Sequence, residues 1–418
     1  MILFPSMTLR NTSRCIHENA GMNVKPLSLM IMGLFACVAQ AQDALKEAPD
    51  GWSAFLLNNI TLQRSTEEAL RSRPSPFRPD LATDTAGRLL NFFGLQLKSG
   101  DWTFMGSYSD SRTLGDDSAY SLTNPMSFGV NTVETNGTSR KLVNYKSGLQ
   151  ELAATYLKSG TMVMMGKIDT SNWYLADPIF GGDLGNGNDY GNAATRVVAP
   201  PFPSVALVVK HDYGNGLSLT GIAGDAFGDR ETINAARNLV KGDLAYVLEL
   251  NFQDQRQHYQ LTANHIDAFR YYDKDAVWPG PGEKAPQVDA VMGTASYRFD
   301  KRWAGFGRVS YAKGDGQIED LNFLAGVRYD RGKFYALVSQ SVTRVGTDNT
   351  PYKRGAKGDY TFVSEATLNY KLHPQVTVGL TYDMYNSSGN SLLAKDGGWN
   401  GSRRNHIVGM RLTSFLPY

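Results

Sequence analysis

"LNFLAGVRYDRGKFYALVSQSVT", Leu321 to Thr343, is the stretch whose reading decides the fold. Its first half sets Leu321, Phe323, Ala325, Val327 and Tyr329 on one side of an extended chain, and Asn322, Gly326 and Arg328 on the other. A period of two marks a strand whose faces meet different surroundings. The polar step "DRG" then turns the chain back, so the stretch predicts two strands joined by a very short turn.

The pattern recurs. "FVSEATLNYK" sets Phe362, Ala366, Leu368 and Tyr370 against Glu365, Thr367, Asn369 and Lys371, and "WAGFGRVSY" sets Trp303, Val309 and Tyr311 against Arg308 and Ser310. Hairpins are predicted at Leu89 to Ser109, Leu149 to Asp169, Val205 to Gly224 and Leu244 to Asp267, then at Val288 to Tyr311, Leu321 to Thr343 and Phe362 to Asp383. Single strands at Trp52 to Gln63 and Asn405 to Phe415 bring the total to sixteen. An even number whose first and last members can pair is what closing a sheet requires, and closure removes the open edges.

Long connections alternate with the tight turns. They run over 64–88, 110–148, 170–204, 225–243, 268–287, 312–320, 344–361 and 384–404. Putting every long connection at one end is the habit of transmembrane barrels, with short periplasmic turns and long outer loops. A soluble β-protein with one wet face is the competing reading, but a soluble barrel turns its apolar side inward and seldom needs so many strands. The expected fold is therefore all-β: a 16-stranded antiparallel transmembrane β-barrel with long extracellular loops and short periplasmic turns. A mean hydropathy of -0.33 is no objection, because only half of each strand would face lipid.

"MNVKPLSLMIMGLFACVAQAQD", from Met22, has a basic start at Lys25, an apolar run from Leu27 to Val38 and the small-residue exit Ala39-Gln40-Ala41. This predicts a secretory signal peptide cut after Ala41, too short in its apolar part to span a membrane as a helix. "LFAC" with Cys37 as a lipidated residue is the alternative for this segment. Residues 1–21 are expected to be an upstream extension and residues 42–418 a single barrel domain. Both cysteines, Cys15 and Cys37, lie upstream of Ala41, which leaves no disulfide framework and no thiolate nucleophile in the mature chain. Removing residues 1–41 also removes three of the 42 basic and one of the 40 acidic residues, so the mature chain is neutral. That argues against a nucleic-acid partner.

The third long connection follows "MVMMGKID", where Met162, Met164 and Ile168 are read against Val163, Lys167 and Asp169. Lys167 and Asp169 are accordingly expected to face the bore near its mouth. "GKIDTSNWY", "PPFPSVALVVKHDYGNGLSLTGIAGDA", "SEATLNYKLHPQVTVGLTYDMYNSSGN" and "IVGMRL" together resemble the carbohydrate-selective, OprB-type porins. The resemblance spans about Gly166 to Leu412, and it departs from the family pattern at Gly379-Leu380 and in the final Leu-Pro-Tyr. It implies an outer-membrane channel for small sugars or polyols, with the loop after the fifth strand folded inward.

A sugar channel needs planar apolar faces for pyranose rings and polar groups that exchange hydrogen bonds with hydroxyls. Trp173, Tyr174 and Asp177 supply both kinds in the third loop, and Glu249, Arg308, Arg328, Glu365 and Arg411 are the candidates on the wall. The plainer reading is that these wall charges solvate the bore. Outer-membrane lipid is the expected surrounding, and the sequence does not decide between one barrel and a homo-oligomer. No cofactor is expected: "GGDLGNGNDYG" lacks the ligand alternation of a calcium loop. An enzyme is not expected either, since Gly-x-Ser-x-Gly, His-Glu-x-x-His and a phosphate-binding loop are all missing. His258 and His265 are an odd number of residues apart, so on one strand they face opposite sides.

Overall fold

The computed structural model describes residues 50–66, 85–114, 132–136, 139–143, 145–169, 177, 204–226, 240, 244–267, 271–273, 276–278, 287–314, 319–345, 360–387 and 404–417. The predicted signal peptide, Trp173 and Tyr174 lie outside these residues.

Every element among the described residues is a strand. The first seven are β1 (Gly51–Ser65), β2 (Thr85–Ser99), β3 (Trp102–Thr113), β4 (Thr132–Asn136), β5 (Ser139–Val143), β6 (Tyr145–Lys158) and β7 (Thr161–Ile168). Next come β8 (Ser204–Gly214), β9 (Leu217–Asp225), β10 (Leu244–Gln253), β11 (Gln257–Ile266), β12 (Tyr271–Asp273) and β13 (Ala276–Trp278). The last seven are β14 (Val288–Arg298), β15 (Trp303–Lys313), β16 (Glu319–Arg331), β17 (Phe334–Val345), β18 (Tyr360–His373), β19 (Val376–Ser387) and β20 (Arg404–Pro417).

Sixteen of them form one closed antiparallel barrel in chain order, and β4–β5 and β12–β13 are separate two-stranded sheets within two of the long connections. The seam is the pairing of β1 with β20, from Phe55 opposite Pro417 to Ser65 opposite Ile407. Inside that seam the rings of Phe55 and Phe415 stack at 5.9 Å.

Alternation sorts the side chains as the opening stretch implies. Leu248, Leu261, Val291, Phe323, Val338 and Leu368 are exposed on the outer surface, whereas Asn59, Thr262, Asn322, Arg328 and Asn369 are buried within. An outer surface so rich in Leu, Val and Phe would be an unstable boundary with water, and it matches the hydrocarbon of a bilayer. With every barrel strand paired on both sides, the backbone can enter lipid without orphaned donors.

The interior is less uniformly polar than expected. Met162, Met164, Val208, Ile222, Val247 and Met292 belong to one buried apolar cluster on the inner wall of β7 to β14, which runs from Met162 near the short turn of β7 to Val247 near the long-loop end of β10. Met162 and Met164 thus occupy the inner side, and the outward residue of β7 is Met165, 65% exposed. Gly166 explains why simple alternation fails there: it sits at φ 141°, and a Cβ on it would collide with the Leu152 carbonyl. Beyond this irregularity Lys167 and Ile168 are both buried, and Asp169 is half-buried.

The short turns carry their own caps. Asp254 Oδ1 accepts the amides of Arg256 and Gln257 at 2.7 and 2.9 Å, and Asp300 Oδ1 accepts those of Arg302 and Trp303 at 2.6 and 2.7 Å. These amides, first that of Arg256 and first that of Arg302, hold the two carboxyls below the ordinary aspartate range. A depressed carboxyl stabilises its turn above the unfolded pKa and loses that effect as pH falls through the folded value. Amide exchange at Arg256 and Trp303 is therefore expected to quicken in acid relative to strand amides. Asp254→Ala and Asp300→Ala should bring the faster exchange to neutral pH, each in its own turn.

Candidate functional site in the barrel interior

Asp177 belongs to the long connection after β7, yet it is 1% exposed and lies against β11. His258 Nδ1 donates to Asp177 Oδ2 at 2.9 Å, and Asn251 Nδ2 donates to the other ring nitrogen at 3.1 Å. The chain Asn251 to His258 to Asp177 has one consistent direction, with the proton on Nδ1. His258 is eight residues along β11 from the long-loop end at Ile266, which at strand rise is roughly 26 Å of chain. A residue of that loop thus stands deep inside the barrel.

Other predicted residues converge on the same region. Glu249 Oε2 accepts Gln260 Nε2 at 2.7 Å, and Lys210 and His258 lie within electrostatic reach of Glu249. Arg308, two strands along the wall on β15, interacts with Asp177, and its Nε reaches Thr294 Oγ1 at 3.4 Å. Asp177, Glu249 and Arg308 therefore belong to one buried network with His258, Lys210 and Gln260. Period-two parity would have put His258 and Gln260 on one face with Thr262. His265, on the opposite face of β11, bonds Asp289 and Asp267 at 2.6 and 2.9 Å.

Arg328 and Arg411 form a second group. Arg328 grips Asp330 through Nε and Nη2, the latter at 2.8 Å, and its guanidinium lies 4.6 Å from the centre of the Tyr335 ring. Lys371 Nζ stands 5.8 Å from the same ring, and Arg411 lies within electrostatic reach of the Tyr335 hydroxyl. Arg411 Nη2 donates to Asn369 Oδ1 at 3.0 Å. Tyr335 and Asn369 were not singled out from sequence. Glu365 stands opposite Asp383 between β18 and β19, with both residues buried. Lys167 is buried at the long-loop end of β7.

Gly379 makes room for the Arg411 contact. A Cβ there would lie 2.5 Å from Asn369 Oδ1, the atom that receives Arg411. Gly379→Ala is expected to rotate the Asn369 amide away and leave Arg411 without it, at a cost on the order of 1–3 kcal/mol. The zero-current potential across a salt gradient should shift while barrel assembly is retained. An unchanged potential would show that the Arg411 contact does not influence ion preference.

The overall form can now be set beside known structures. OprB of Pseudomonas putida superposes with a TM-score of 0.57 at 12% identity, covering 91% of this chain and 97% of that one. The chain has the fold of the porins. The anion-selective porin from Comamonas acidovorans gives a TM-score of 0.53 at 9% identity, and a mutant of Rhodopseudomonas blastica porin gives 0.52 at 12%. Both comparisons cover 88% of this chain and all of the other. No protein-family model and no curated protein sequence matches the chain. The porin fold agrees with the resemblance seen in the sequence segments, and it gives the two interior networks their setting, the wall of a bore.

Proposed function

We propose that this protein is an outer-membrane porin through which small carbohydrates diffuse passively into the periplasm. The observation that carries this reading is Asp177, a loop residue held in the barrel interior by His258. The loop carboxylate beside His258 and Arg308, with Glu249, Lys210 and Gln260 on the neighbouring strands, sets acceptors and donors close together, the arrangement that exchanges hydrogen bonds with sugar hydroxyls. Trp173 and Tyr174, just before Asp177 in the chain, are proposed as the flat surfaces against which a ring would stack. Binding must remain weak, since a solute that cannot leave does not cross. No chemical step and no energy source is required, because the gradient drives flux.

Liposome swelling tests the sugar preference. Vesicles containing the protein should swell faster in monosaccharide than in a neutral, non-sugar solute of equal size. Equal rates would reject sugar selectivity and leave a general diffusion porin.

One observation favours that second reading with an anion preference. Arg328, Lys371 and Arg411 surround Tyr335 on one wall. A zero-current potential on the anion side, together with swelling indifferent to sugar, would select it.

A further inference from the structure

Three consecutive short turns, joining β14 to β15, β16 to β17 and β18 to β19, bound a rim sector of uneven charge. Lys301, Arg302, Arg331 and Lys333 are all exposed there and enter no ion pair among the described residues. The nearby carboxylates are already engaged. Asp300 caps its own turn through the amides of Arg302 and Trp303, and Asp330 holds Arg328 and Arg298 at 2.8 and 3.5 Å. Elsewhere on this rim cations and carboxylates are matched in number: Lys158 lies 4.0 Å from Asp101, and the turn after β10 carries one cation, Arg256, beside one carboxylate, Asp254. The positive surplus is therefore local to one side.

The same sector carries paired aromatic rings. Tyr297 packs with Phe299 at 5.6 Å, Trp303 with Tyr329 at 4.7 Å and Phe334 with Tyr370 at 5.2 Å. Phe299, Trp303, Phe334 and Tyr370 are exposed on the outside. Aromatic rings at strand ends mark the level where hydrocarbon gives way to headgroups. Lys301 and Arg302 directly precede Trp303, and Lys333 directly precedes Phe334, so these cations cannot project far below that level. They stand among headgroups.

We propose that this sector binds the headgroups of anionic phospholipid in the leaflet that meets the short turns. A cation held near such a surface is attracted to anionic lipid, and the attraction is screened by salt. Four cations on adjoining hairpins, in no ion pair among the described residues, concentrate that attraction on one side of the barrel, while in the turns opposite each cation is offset by a carboxylate. An acidic protein would have to reach these side chains through the headgroup layer, whereas the lipid is already in place. The inference rests on the membrane-embedded barrel proposed above, and the experiment separates the two.

Trp303 reports from within the sector and Trp102 from the rim outside it. Variants keeping only one of these tryptophans, the others replaced by Phe, would be inserted into phosphatidylcholine vesicles. Brominated phosphatidylglycerol or brominated phosphatidylcholine would then be added at equal mole fraction. Trp303 should be quenched about twofold more by the anionic lipid, Trp102 equally by both, and added salt should reduce the difference. Replacing Lys301, Arg302, Arg331 and Lys333 together by Gln should abolish the preference at Trp303 while quenching by the neutral lipid, the sign of insertion, persists. Equal quenching of Trp303 by the two lipids would overturn the lipid site alone. Quenching of neither tryptophan by either lipid would overturn the embedded barrel itself.

Discussion

Asp177→Ala should enlarge the open-channel conductance and weaken any block by sugar. The contact it removes is a hydrogen bond between two side chains that are each 1% exposed, His258 and Asp177. Buried hydrogen bonds to charged groups contribute about 2 kcal/mol, and deletion leaves His258 and Arg308 facing an empty position. That corresponds to a shift of roughly 30-fold in the equilibrium holding the loop residue against β11. His258→Ala should enlarge conductance in the same direction but less, since Arg308 still interacts with Asp177. The double variant should add little to Asp177→Ala, because the contact with His258 is already lost there. Single-channel recording checks each of these, and a double variant whose effects simply add would show that the two residues act separately.

Leu248→Arg is the second large effect. Leu248 is the fifth of ten residues in β10, so it sits near the middle of the apolar band and is exposed outward. A cation at that depth on the lipid face costs about 2–4 kcal/mol. The variant should lose that much stability in denaturant titrations from vesicles, or fail to assemble. Glu249→Gln, one residue along and facing inward, should assemble normally and change ion preference instead. If both variants assembled with unchanged stability, the outer face of β10 would not be in hydrocarbon.

How far the sequence revealed this can be seen strand by strand. In β15, in β16 from Leu321 to Tyr329 and in β18 from Phe362 to Tyr370 the alternation is unbroken, and residues such as Phe323 and Arg328 fall on the outer and inner faces that a period of two assigns. The hairpins and the closing pair were legible for the same reason, since tight polar turns leave one way to pair neighbours. At β7 the reading inverted, because the inner wall there is itself apolar and Gly166 breaks the alternation before Lys167. Polarity alone cannot tell inside from outside along β7, where the inner wall is apolar from Met162 to Ile168 except at Lys167.

The site was legible only in part. Composition pointed to the loop after β7, but nothing local says that Asp177 meets His258, which is 81 residues away in the chain. Arg308, Arg328 and Arg411 were visible as inward charges. Tyr335 was not, because an aromatic ring on a barrel strand is ordinarily assigned to lipid, and here it is buried between Arg328 and Lys371. Asn369 likewise gains its role only through Gly379, on the adjacent strand.

The most direct measurement is single-channel conductance of the mature chain in a planar bilayer, titrated with glucose and separately with a small organic acid. Stable conductance steps that glucose blocks progressively, with the block weakened in Asp177→Ala, are the expected result. Steps indifferent to glucose in both proteins would contradict the sugar channel, and the absence of any steps would contradict the channel altogether.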